Sequence, residues 1–159
     1  MNIKVLVVLA IGCLLGVSAA AGPLKESDVS QDAQWLIHLD MDKLAGSQLG
    51  KLMFEAPSVN LKSQLKLDFV KDVAGVDVVK DISSFTIYSS SYQREDGVMV
   101  VHGKFPSEKL IALLKTNDKY ETLQYNRHTI HTWVDEIKNR SGCLCLLDGG
   151  VTVLAANPE

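Results

Sequence analysis

From residue 82 onward the chain alternates in twos, and that period decides what it can fold into. Residues 82–91 and 98–105 read as strands joined through Gln93-Arg94-Glu95-Asp96-Gly97, whose Asp-Gly pair is a hairpin signal. Residues 120–125 and 128–134 form a second hairpin turning at Asn126-Arg127, and residues 143–147 and 151–155 a third around Asp148-Gly149-Gly150. Short connections of this kind join antiparallel neighbours, because a parallel pair needs a crossover of a dozen or more residues. A largely antiparallel sheet follows.

The first half supplies one more strand and the helices. In Trp35-Leu36-Ile37-His38-Leu39-Asp40, the residues Trp35, Ile37 and Leu39 share a face and leave His38 and Asp40 on the other. Asp42 is placed to N-cap a helix that runs to Pro57 and turns Ala45, Leu49, Leu52 and Met53 inward. A second helix carries Leu61, Leu65, Phe69 and Val73 on one side, with Lys62, Lys66, Asp68 and Asp72 on the wet side. Gly75 falls where a left-handed C-cap belongs. Pro106 and Ser107 open a third helix with Leu110, Leu113 and Leu114 on one stripe. The order is β-α-α-β-β-α-β-β-β-β, which predicts an α+β fold with helices packed on one face of the sheet.

The N-terminus carries a different message. Lys4 precedes an apolar stretch from Val5 to Val17, followed by Ser18, Ala19, Ala20 and Ala21: a charged start, a short apolar run and a small-residue exit. That is the secretory signal pattern, and the run is shorter than the roughly 20 residues of a permanent membrane helix. Cys13 stands in a loose lipoprotein-like box, but Leu14, Leu15 and Val17 carry the apolar run past it. We read residues 1–21 as a signal peptide, 22–34 as a flexible lead-in and 35–159 as one α+β domain. The compartment expected is periplasmic or extracellular, with no permanent membrane span after cleavage. Removing Lys4 with the signal leaves 15 basic residues against 19 acidic ones. An acidic balance argues against nucleic-acid binding, which needs a basic patch.

Three stretches carry a resemblance. Trp35, His38, Asp40, Asp42, Leu44, Ser47 and Gly50 form a W-x-x-H-x-D-x-D-x-L-x-x-S-x-x-G run. Residues 98–105 read VMVVHGKF, and His131-x-Trp133-x-Asp135 follows. Together they resemble exported, uncharacterised proteins of planctomycete-like bacteria, over most of the chain after residue 21. The resemblance implies a bacterial cell-envelope protein and brings no activity or catalytic residues with it. In such proteins the chain continues beyond the last hairpin.

Chemistry is sparse. His38 and Asp40 share a strand face, and His102 and Lys104 share a face on another strand, with Thr86 and Tyr88 beside them if the helices take the opposite side. A His38, Asp40 and His102 patch is the candidate for a divalent metal and for a metal-dependent hydrolase, although zinc takes three or four convergent ligands. The blander reading is a solvated outer sheet face. His128 and His131 lie three apart in a strand and so on opposite faces. Cys143 and Cys145 sit side by side on one strand face, where a mutual disulfide is unfavourable and apolar surroundings keep them protonated. No nucleophile elbow, phosphate loop or metalloprotease motif is present. The favoured expectation is therefore a non-enzymatic binding or self-association module without a cofactor. It would meet a protein partner or its own copy through a sheet face or the last hairpin.

That hairpin carries one more expectation. Cys143, Cys145 and Leu147 oppose Leu144 and Leu146, and Val151, Val153 and Ala155 oppose Leu154 and Ala156. Strands apolar on both faces are covered on both faces. Asn157-Pro158-Glu159 suits the start of a helix. The expectation is a domain cut short at its C-terminal end, or one completed by a partner.

Overall fold

A computed structural model describes residues 24–55, 61–93, 96–135 and 140–156. The expected signal peptide, part of the first hairpin tip and the closing Asn157-Pro158-Glu159 lie outside these. Among the described residues one antiparallel sheet holds seven strands: β1 (Trp35–Asp40), β2 (Ile82–Ser89), β3 (Gly97–Gly103), β4 (Glu121–Tyr125), β5 (His128–Asp135), β6 (Arg140–Leu147) and β7 (Val151–Ala155). Their order across the sheet is β1-β2-β3-β7-β6-β5-β4. Four helices accompany them: α1 (Met41–Gly46), α2 (Gln48–Glu55), α3 (Leu61–Ala74) and α4 (Ser107–Leu114). The α+β class with a largely antiparallel sheet is as the alternation predicts.

Register turns this order into two faces. One row crosses all seven strands through His38, Thr86, Val100, Val153, Cys145, Ile130 and Leu123. The next row runs through Ile37, Ile87, Met99, Leu154, Leu144, His131 and Thr122 and points the other way. Met99 and Leu154, with Phe85 and Val101, pack into the cluster built on Met41, Val76 and Ile82, which takes in Leu44 and Phe54 from the first two helices and Leu110 from α4. The second row therefore belongs to the helix face. Burying an aliphatic side chain of this size contributes about 1.5–3 kcal/mol, so this cluster is the main source of cohesion.

The turns are made as their residues require. Asn126 at φ 53° closes the β4–β5 turn, and Gly149 and Gly150, at φ 77° and 76°, close the last one. A side chain at Gly150 would also meet the Gly103 carbonyl oxygen at 2.3 Å, because the Gly103 amide donates to the Gly150 carbonyl at 2.8 Å. Gly75, at φ 73°, ends α3 with its amide on the Lys71 carbonyl.

Several details depart from the expectations. The helix expected between Asp42 and Pro57 is two helices, α1 and α2, broken at Ser47. The Ser47 hydroxyl donates to the Leu44 carbonyl and accepts from the Gly50 amide, stopping one helix and starting the next. The N-cap of α1 is Asp40, not Asp42: its carboxylate accepts from the Lys43 amide at 2.9 Å. The break also resets the helix phase. Leu44 and Phe54 face the core, while Leu49, Leu52 and Met53, expected inside, are exposed. On α3, Phe69 is 65% exposed; the side chains of Leu61 and Leu65 lie outside the described residues.

The last hairpin does not sit at a margin. β7 is the central strand of the seven, and β6 lies beside it. Cys143 and Leu144 point to opposite faces and both are buried. Among the described residues, large apolar side chains are left exposed elsewhere: Leu36, Ile37 and Leu39 on β1, Leu49, Leu52, Met53, Phe69 and Val70 on α2 and α3, Leu113 on α4, and Leu123 and Tyr125 on β4 at the other end of the sheet. Ile37 and Leu39 lie on the helix face, and the helices leave them uncovered at the end of the sheet.

Candidate functional site

The polar residues nominated for a site lie on the face away from the helices, where the register puts His38 beside Thr86 and Asp40 in one row with Ser84 and His102. Two strand spacings separate Asp40 from His102 in that row, about 10 Å. Each of the three is engaged in its own direction. His38 Nδ1 shares a hydrogen bond with Thr86 Oγ1 at 2.9 Å. The Asp40 carboxylate caps α1 and lies 3.5 Å from Lys43 Nζ. His102 Nε2 pairs with Asp28 Oδ2 at 2.5 Å. Among the described residues no group of three His, Cys, Asp or Glu side chains is placed to hold a metal ion.

Asp28 was not nominated from the sequence, and it changes the reading of the lead-in. Residues 26–28 form a single 3₁₀ turn, and the chain then bends back through Ser30 and Ala33. The Gln34 amide donates to the Ser89 carbonyl at 2.9 Å, leading directly into β1. Tyr88 of β2 faces the same segment. Its burial, and then the charge of Asp32, hold the phenol above its ordinary pKa, against a backbone hydrogen bond with Ser30. Residues 24–34 therefore lie against the face that carries His38 and His102. Thr86 and Val100, which point to that face between them, are 1% and 3% exposed. The polar composition of the lead-in gives no hint of this, because its main tie joins residues 74 positions apart.

A second pair, also missed, sits on the helix face. His131 is buried, its Nδ1 shares a 2.8 Å hydrogen bond with Tyr120 Oη, and the two rings stack at 5.9 Å and 22°. Burial, helped by the charge of Lys115, pushes the imidazole pKa below its ordinary value and keeps it neutral. His128, on the opposite face of β5, takes no part in this pair. Trp133 lies over Gly142, where a Cβ would stand 2.5 Å from its ring.

The thiols offer little reactivity. Cys143 and Cys145 are unbridged, and burial pushes both pKa values up. The thiolate is the nucleophilic form, so this environment suits packing. Among the described residues no helix is long and apolar enough to cross a membrane. What this chain presents chemically is a set of separately satisfied polar pairs on one face and exposed apolar side chains on β1, α2 and α3. No protein family, curated protein or solved structure matches it.

Proposed function

We propose that this chain is an exported bacterial cell-envelope protein that works by association, not by catalysis, and that its partner is a second copy of itself. The observation that carries the reading is the exposure of Ile37, at 61%, and Leu49, at 58%, with Leu36, Leu39, Leu52, Met53 and Phe69 also open to solvent. Scattered single apolar residues need no explanation, but concentrations of them on a single-chain fold mark interaction surfaces. β1 closes one end of the sheet, where among the described residues β2 alone pairs with it as a strand, and an edge strand is a template for another strand. The export half of the proposal rests on the Lys4-to-Ala21 pattern and on the resemblance to exported planctomycete-like proteins.

Of the surfaces that the sequence offers, a sheet face or the last hairpin, this reading takes the β1 end of the sheet together with the first helices. The His38, Asp40 and His102 candidates then serve as parts of a polar face, each with its own partner. Sedimentation velocity on the purified protein across a hundredfold concentration range is the test. A dimer that dissociates on dilution is expected, and one monomeric species throughout rejects self-association.

A further inference from the structure

The segment that leads into β1 has the construction of a strap. Before Gln34 it makes no strand pairing with the sheet, and its regular structure is one 3₁₀ turn, Glu26–Asp28. It is attached at two kinds of point. Its C-terminal end continues into β1, with the Gln34 amide on the Ser89 carbonyl. Nearer its other end it is held by Asp28 on His102, both side chains only 14% exposed. Between these lie the Tyr88 contact with Ser30 and a partly buried Val29.

We propose that residues 24–34 form a displaceable strap, hinged at Gln34 and latched by the Asp28–His102 pair, that opens as a unit while the sheet beneath stays folded. The argument is one of unequal attachment. Strands β2 and β3 pair along seven registered positions, and β3 is paired on its other side by β7. The strap relies on side-chain contacts, chief among them the carboxylate–imidazole bond of Asp28 to His102. Segments with few backbone bonds to the rest of a fold open locally, well below the free energy of global unfolding. Opening would uncover Thr86 and Val100, which are closed to solvent in the latched state. His38, bonded to Thr86, stands next to them. The strap thus gates a face whose central row continues through Val153 and Cys145.

Amide hydrogen exchange on the purified full chain, resolved by segment, tests this. Asp28→Asn keeps the shape of the side chain and removes its charge, and His102→Gln removes the imidazole. Each is expected to speed exchange in residues 26–34 by about fivefold, the factor that one kcal/mol produces. Exchange in β2, β3 and β7 should stay unchanged. Because both residues serve a single latch, the double variant should be no faster than either single one. Unchanged strap exchange in Asp28→Asn overturns the proposal, and so do effects that multiply in the double variant. Strap and sheet accelerating together overturns it as well, since that describes one cooperative unit and not a gate.

Discussion

The centre of the sheet and its β1 end obey opposite patterns. At the centre, where β3, β7 and β6 meet, a polar side chain is buried: Thr152 is 3% exposed on the helix face, and its hydroxyl has no hydrogen-bond partner. At the β1 end, large aliphatic side chains are open to water. Position in the sheet explains the first. A central strand has neighbours on both edges, so its side chains are at least half-buried, and Thr152, on the helix face, is buried outright. The other edge strand, β4, is also open, with Leu123 and Tyr125 exposed, but β1 exposes three large aliphatic side chains, Leu36, Ile37 and Leu39, and therefore bears the functional reading.

The largest expected effect lies in the turn that closes the centre. Gly150→Val would place a branched side chain at φ 76° and against the Gly103 carbonyl. We expect a loss of about 3 kcal/mol or more, from the left-handed backbone and the clash together. Urea denaturation reads it, and a loss below one kcal/mol would mean that the β3–β7 junction is not held as described.

The comparison itself is sharpened by a matched pair. Val101→Ala, in the helix-face core, should cost about 2 kcal/mol through the cavity it leaves. Leu49→Ala, which removes more carbon from an exposed site, should change monomer stability by less than about 0.5 kcal/mol. Equal losses at the two positions would erase the distinction between the regions. A smaller effect of opposite sign is expected at Thr152. Thr152→Val keeps the shape and removes the unpartnered hydroxyl, and should raise stability by about 1 kcal/mol.

Acid sensitivity gives a further check on the buried side. The folded pKa of His131 is lowered, so the unfolded chain takes up a proton first as pH falls. The stability that the neutral, buried ring contributes is complete above the unfolded value, about 6.5, and is lost as pH falls toward the lower folded value. His131→Phe keeps a ring against Tyr120 and should flatten that part of the stability–pH profile. An unchanged slope in the variant would move the acid sensitivity to another group.

Local rules made the hairpins legible. Alternation located β2 to β7, and Asn126, Gly149 and Gly150 are the left-handed turn residues that the sequence marks. Gly75 likewise ends α3. What stayed hidden is non-local. Nothing in residues 151–155 says that they will insert beside β3 and become the centre of the sheet. Ser47 is an ordinary polar residue until its hydroxyl bonds both Leu44 and Gly50, and that break turns Leu49, Leu52 and Met53 outward. The candidate site shows the same division. Periodicity put His38 and His102 on one face, but only the folded chain brings Asp28 to His102 and Tyr120 to His131.

The central claim is that the β1 end of the sheet is an association surface, while the last hairpin serves as the half-buried centre of the sheet. Light scattering behind size exclusion, on the wild-type chain and on Ile37→Lys, tests it most directly. Ile37 is exposed in the single chain, so lysine should leave folding intact by circular dichroism while converting a wild-type dimer into a monomer. Wild type and variant eluting alike, both as folded monomers or both as dimers, would contradict the account.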